Sequence, residues 1–428
     1  MKLPGPRART AFISQGLLSS GNFVAAVLLV RALGLGGYGA LSIALIAAGY
    51  AAGLGQALIC QPLLSLAPKV DGEERRRRVR DAVLLAAALG TVLAVLACGA
   101  WVLADSAGLD VEGLGLDPVG CAALVALRAF APVLRGALFA LGRGRWTIAF
   151  DTVGSWGVVA LLLGAGSETM VLPGQALWLM VAGCVAACVL GLVALWDLRS
   201  GPLPRREAAL MHWKNGRWLA ANQVLSWVGT GGFLGATALV LGPVGLGAIR
   251  AAQSLVGVVL VACQALELAL PARAAVALGS EGVGGLRRWV DGTGRRLLAA
   301  FACLGAGLAL LAPLLLGTLF PDVDRLLAGS ALVGLAWLPV AAALTGLLQV
   351  GFRTLEDTRP IFLAYATSSV VSGALALPLV QTFGLMGAAW GLTGAQWLFT
   401  LCLAGLFVRS TDASRTPVAP GVPTSYMG

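Results

Sequence analysis

The sequence predicts an all-α integral membrane protein: twelve transmembrane helices in two parallel six-helix repeats. Three observations carry that expectation. Of 428 residues, 58% are hydrophobic and 12% charged, at a mean hydropathy of +0.87, whereas a soluble domain of this length needs far more charge to cover its surface. The apolar residues fall in continuous runs of roughly twenty, the length of helix that crosses about 30 Å of hydrocarbon. The basic residues gather in short clusters between the runs, which is how membrane topology is encoded. A β-barrel would instead show short segments of alternating polarity. The 58 glycines are scattered through the apolar runs without a period, as small residues are in packed membrane helices.

By length and hydropathy the spans are expected at 11–31, 39–66, 82–104, 118–141, 147–165, 174–196, 218–240, 245–271, 297–318, 325–350, 361–380 and 385–408. The first run follows Lys2, Arg7 and Arg9 without a small-residue cleavage site, so it reads as a retained span and not a signal peptide. With the N-terminus in the cytoplasm, 25 of the 30 Lys and Arg residues fall on the cytoplasmic side. The clusters are Lys69–Arg80, Arg143 and Arg145, Arg199–Arg217, Arg273–Arg296, Arg353 and Arg359, and the two tails. Outer segments hold only Arg31 and Arg325, and carry the acids Asp105, Asp110, Glu112 and Asp117. The asymmetry predicts a multi-pass bacterial inner-membrane protein with both termini cytoplasmic. It divides into an N-terminal lobe (1–197), a cytoplasmic linker (198–217), a C-terminal lobe (218–408) and a disordered cytoplasmic tail (409–428).

The net charge of +10 is spent on topology, which argues against a nucleic-acid partner. The run Arg75–Arg78 is such a signal, with anionic lipid headgroups as a further contact. All eight cysteines lie in expected spans, against a disulfide framework. Cys184 and Cys188 are one turn apart but have no neighbouring His or carboxylate to complete a metal site. No cofactor is expected.

The halves align at a shift of 208 positions. Leu33–Ser42 (LGLGGYGALS) falls on Leu241–Arg250 (LGPVGLGAIR), Gln15 on Gln223, and Leu124–Pro132 on Leu332–Val340. Both halves start on the cytoplasmic side, so the repeats are parallel, about an axis along the membrane normal. Two such lobes around a cavity are the architecture of an alternating-access transporter.

The segment Arg31–Ala44 (RALGLGGYGALSIA) and the stretch Phe383–Gly391 (FGLMGAAWG) resemble recurring elements of the polysaccharide flippases of the multidrug/oligosaccharidyl-lipid/polysaccharide exporter superfamily. The resemblance covers essentially the whole chain. It implies a V-shaped pair of lobes that moves a polyprenyl-diphosphate-linked oligosaccharide to the outer leaflet. Membrane lipids, and a polysaccharide polymerase or chain-length protein, would be its partners.

Charges inside the bilayer cost about 2.5–3.5 kcal/mol each on insertion scales, so each needs a reason. Arg128 and Arg135 lie seven residues apart in span four, on one helical face and roughly 10 Å apart along it. Their repeat partners are Ala336 and Ala343, so the cationic feature belongs to the first half alone. Arginine stays protonated and its planar fork matches phosphate oxygens. The functional expectation is that both line a cavity and hold the diphosphate. The plainer one is that Arg135 snorkels to headgroups while Arg128 pairs with an internal carbonyl or acid.

Arg250, early in span eight, is a second-lobe anion contact or a headgroup anchor, and Arg31 an interfacial anchor or cavity residue. Gln15, Asn22, Gln56 and Gln61, with Asn222, Gln223, Gln253 and Gln264, can bind sugar hydroxyls or bond between helices. Glu267 is the candidate coupling group for Na+ or H+, or else a salt-bridge partner of Arg273; Asp151 is the weaker candidate. The turns Gly34–Gly39 and Gly242–Gly247 permit close helix approach and lack P-loop spacing. Trp101, Trp146 and Trp218 fit interfacial anchoring. His212, in Met211–Trp218, is assigned no role.

Two other functions compete. A cation-coupled multidrug exporter of the same superfamily needs buried carboxylates, and spans one and two contain none. A membrane-embedded glycan polymerase or ligase needs acid–base groups on a sizeable aqueous loop, and the longest outer loop is about a dozen residues. A peptidoglycan-precursor flippase usually carries more spans than this chain has length for.

Overall fold

Glycine decides where the helices of this chain turn. In the computed structural model, which describes residues 6–70, 72–108, 112–166, 172–198, 206–320 and 325–413, helical stretches run far beyond one bilayer crossing. Pro6–Gly55 is interrupted at Gly34, where φ is +66° and ψ −178°. Glycine carries no Cβ and enters this region at little steric cost. The helix therefore breaks there without a loop, giving α1 (6–33) and α2 (35–66), the latter passing through a π-helical turn, Gln56–Cys60.

The first half continues as α3 (Gly72–Ser106), α4 (Pro118–Ala140), α5 (Gly144–Ala165) and α6 (Pro173–Ala194). Asp117 caps α4, its carboxylate accepting from the Gly120 amide at 2.7 Å. The second half opens with α7 (206–241), which carries its own π-turn, Trp227–Gly231. Breaks at Gly242 (φ +65°) and Gly282 (φ +64°) then separate α7, α8 (243–281) and α9 (283–319). Next come α10 (325–354), interrupted at Ala336–Trp337 ahead of Pro339, α11 (359–383), and α12 (385–413) beyond Gly384 at φ +58°.

Nine helical stretches are long and apolar enough to cross a membrane among the described residues. Three of them, Ile13–Lys69, Arg206–Cys263 and Arg359–Asp412, have 57, 58 and 54 residues, more than twice what one crossing requires. Each contains one of the glycine breaks.

Some details depart from the sequence reading. The basic segment expected between spans eight and nine is helical on both sides of the break at Gly282, with Arg288 pairing back to Glu281 and Arg287 reaching Asp412 on α12. From Arg206 onward the linker is already α7, and α12 runs on to Ala413, past residue 408. Asp110, the rest of the tail (414–428) and the side chains of Gln264 and Glu267 lie outside the described residues.

Packing tells the two ends of the molecule apart. One apolar cluster runs through both halves, from Leu29, Leu41 and Leu177 to Phe233, Ile249 and Leu332. At the end bearing the basic clusters the core is divided. Ile59, Leu63, Val79, Leu134 and Phe150 form one group in the first half, and Leu270, Leu286, Phe352 and Phe407 another in the second. The outward faces carry large apolar side chains such as Leu103, Leu239 and Leu310, 70%, 76% and 81% exposed, a surface suited to lipid and not to water.

Where the halves meet, the two glycine-rich segments pack on each other. A Cβ on Gly39 would lie 1.7 Å from the Pro243 oxygen, and one on Gly247 would lie 2.0 Å from the Leu35 oxygen. The shift of 208 relates Gly39 to Gly247 and Leu35 to Pro243, so the contact is reciprocal.

Candidate functional site

The seam between the halves gathers polar groups around α2, α7 and α8. Tyr50 on α2 and Trp227 in the π-turn of α7 stack with ring centroids 4.8 Å apart and planes tilted by 32°. Gly231 makes room for the Tyr50 hydroxyl, since a Cβ there would come within 1.9 Å of it. One turn further along α2, Gly53 faces the Gln223 amide, with 2.6 Å between that amide and a Cβ. Extra residues in π-turns re-aim side chains and recur at functional sites, and this one points Trp227 across the seam.

Arg250 completes the group from α8. Its Nη1 donates to the Gln253 Oε1 at 3.0 Å, and its guanidinium is near enough for its charge to act on Tyr50. Its Nε is buried with no hydrogen-bond partner, and so is the Trp227 Nε1. Both atoms are donors and nothing else. Leaving a buried donor unsatisfied costs about 1–3 kcal/mol, and two on adjoining helices mark a place where an acceptor belongs. Ser42, the repeat partner of Arg250, is also buried with an unpartnered hydroxyl.

The two arginines of α4 have different surroundings. Arg135 is neutralised: its Nε donates to Asp151 Oδ1 and Oδ2 on α5 at 3.0 and 2.9 Å. Its Nη2 donates to the Ser14 hydroxyl at 3.0 Å, and Ser14 in turn donates to Asp151. Phe139 lies under the guanidinium at 5.3 Å. Asp151 is 2% exposed. Arg135 therefore joins α1, α4 and α5 inside the first half, in place of the snorkelling that was its plainer expectation. Arg128 has no salt bridge or hydrogen bond among the described residues, and its charge reaches Cys188 on α6.

The other candidates are dispersed. Arg31 donates to the carbonyls of Thr318 and Leu319, both at 2.7 Å. It crosses between the halves and caps the C-terminal turn of α9, where free carbonyls and the helix dipole favour a cation. Gln15 bonds Ser19 on its own helix, at 3.4 Å. Gln56 is half-buried in the α2 π-turn, while Asn22, Gln61 and Asn222 are exposed. No cluster of three metal-ligating groups occurs among the described residues. A cavity of about 560 Å³ lies elsewhere, between α7, α11 and α12, lined by Phe233, Leu375, Phe383, Met386, Trp390 and Leu398 without a charged group.

Sequence reasoning missed Tyr50, Trp227 and Ser14. Trp227 sits four residues after Gln223, on the same helical face, and that was the signal available.

No protein-family model matches the chain, and no curated protein matches it by sequence. Solved structures do match in fold. A multidrug-resistance MATE transporter of the MOP superfamily, in an inward-facing conformation, superposes with a TM-score of 0.75 at 16% identity, over 96% of this chain and all of that one. The lipid II flippase MurJ, in an inward closed conformation, gives 0.68 at 12% identity, over 95% and 90%. A MOP-superfamily transporter from Pyrococcus furiosus, described as having a binding pocket of reversed polarity, gives 0.62 at 14% identity, over 94% of both chains. The fold is that of the MOP-superfamily membrane transporters, multidrug exporter and flippase alike.

Proposed function

We propose that this protein is an alternating-access flippase for an anionic lipid-linked substrate, a polyprenyl-diphosphate-linked oligosaccharide destined for surface polysaccharide. In this reading the chain crosses the bacterial inner membrane twelve times in two six-helix lobes, with both termini cytoplasmic. The three doubled helical stretches and the reciprocal Gly39–Gly247 contact support the twelve crossings and the repeat.

The observation that carries the substrate class is the pair of unpartnered buried donors, Arg250 Nε and Trp227 Nε1, on the seam. A diphosphate offers only acceptors, so it would satisfy both without bringing an unmatched donor. Arg128, unlike Arg135, keeps its charge free for a second contact. Gln223, against Gly53, and Gln253, which accepts from Arg250, would serve sugar hydroxyls in this reading. The core, continuous at one end and divided at the basic end, supports a cavity that opens to the cytoplasm, where such lipids are made. Energy coupling to Na+ or H+, and work with a polymerase or chain-length protein, belong to the same proposal.

The test is reconstitution. Proteoliposomes holding the purified protein should move a fluorescent polyprenyl-diphosphate oligosaccharide between leaflets, and Arg250→Ala and Arg128→Ala should abolish the movement while the protein stays folded. Wild-type movement in both variants would refute the reading. A second reading, a cation-coupled drug exporter, is favoured by the deeply buried Asp151 in the first half. Export of a cationic dye that depends on Asp151, with no movement of the glycolipid, would select it.

A further inference from the structure

His212, the only histidine in the chain, has no part in the site above. It lies on the first turns of α7, 3% exposed, and neither ring nitrogen has a hydrogen-bond partner. Two groups of the first half act on the ring: the Leu58 carbonyl in the α2 π-turn faces it, and the charge of Asp81 on α3 reaches it. Asp81 is 5% exposed, and its Oδ1 has no hydrogen-bond partner, the nearest charge being Arg80 Nη2 at 3.6 Å. The approach is permitted by Gly216, one turn along α7, where a Cβ would lie 2.7 Å from the Leu58 oxygen.

The charged groups around the ring balance in number. From α3, Arg80 and Arg77 come within 3.6 and 4.0 Å of Asp81, and Glu74 pairs with Arg78 at 3.0 Å. From α7 itself Glu207 faces them across a polar cavity of about 200 Å³, whose walls include Arg77, Arg78 and Asp81. Lys214 and Arg217 on α7 are exposed, and α2 presents only backbone carbonyl.

Both neighbours of the ring are acceptors. A neutral imidazole has one donor and can serve one of them, whereas the protonated ring has two donors and can serve both. We propose that His212 and Asp81 form a proton-binding site on the seam between the halves. A proton entering from water in the polar cavity adds one N–H bond to the ring. The double donor then ties α7 to α2 and α3, holding the basic ends of the two halves together, and loss of the proton releases them. The proposal rests on the reading of the halves as mobile lobes, but its test needs no substrate.

A single histidine makes that test direct. Full-length protein purified without a histidine tag, carrying 13C,15N-histidine and held in lipid nanodiscs, gives one set of imidazole signals. The ring should titrate between about pH 4 and 8, with a midpoint lowered by about one unit or more in Asp81→Asn and raised in Arg80→Gln. Amide exchange across residues 206–217, corrected for its intrinsic pH dependence, should slow about tenfold on protonation in the wild type and not in His212→Gln. A ring that stays neutral throughout, or a midpoint that neither substitution moves, overturns the site. The same exchange response in His212→Gln overturns the tie between lobes. Should Asp81→Asn not fold, Arg80→Gln alone decides the midpoint.

Discussion

Arg135 and Asp151 form a buried ion pair between α4 and α5, with one guanidinium nitrogen shared by both carboxylate oxygens at 3.0 and 2.9 Å. The pair closes on Ser14 of α1, so three helices of the first half meet at one charge-neutral knot. Removing one partner strands the other charge in a low-dielectric interior. Arg135→Ala, which strands the 2% exposed Asp151, should therefore destabilise the protein by about 3–5 kcal/mol, and Asp151→Ala by less because Arg135 is partly exposed. The double change Arg135→Met with Asp151→Leu should cost much less, because it leaves no stranded charge. Heating followed by size-exclusion chromatography measures both.

The glycine seam gives a second prediction. Gly39→Ala and Gly247→Ala each force a methyl group into opposing backbone, and should lose about 1–3 kcal/mol along with transport. Gly49 lies on the same helix and has nothing within 4 Å of an added Cβ. Gly49→Ala should leave melting temperature unchanged or raise it, and serves as the internal control.

Trp227→Phe keeps an aromatic ring, though a smaller one, against Tyr50 and deletes the unpartnered donor. Stability should hold or rise, since an unsatisfied buried group disappears with the nitrogen. Binding of a polyprenyl diphosphate should weaken about tenfold, the worth of one hydrogen bond to a charged acceptor. Titration calorimetry in detergent would show a change in affinity without a change in melting temperature.

A pH effect is expected at the basic end. Asp197, in the short turn Trp196–Leu198 after α6, accepts from Arg143 at 2.8 and 2.6 Å. Those hydrogen bonds, and then the charge of Arg143, hold its carboxyl below its ordinary 3.8. A lowered acid contributes stability that is whole above its unfolded value and fades as pH falls through the folded one. Acidification below about pH 4 should therefore detach the turn, and Asp197→Asn should flatten the melting-temperature profile in that window.

How much of this was legible beforehand differs by scale. Apolar run length and basic clusters mark most of the helices, because both follow from the bilayer as solvent. The helical turns on either side of Gly282 were not legible, since a charged segment that is helical reads like a loop. At the site, charge within a span brought forward Arg250 and the repeat brought forward Gln223, yet the internal acid was expected beside Arg128 and is found on Arg135. What separates them is Asp151, sixteen positions away from Arg135, and no spacing rule links residues on different helices. Trp227 was hidden for a similar reason: its orientation depends on a π-turn, which leaves no pattern in hydropathy.

The seam at Gly39 and Gly247 brings together two positions that have no side chains. A contact of that kind has no charge to titrate, no volume to trim and no greasiness to adjust. It can only be touching or parted, like the stop on a hinge. In the proposed alternating-access cycle, graded control over opening would then act at a distance from it, through groups that possess chemistry, while the stop itself would set how far the halves close.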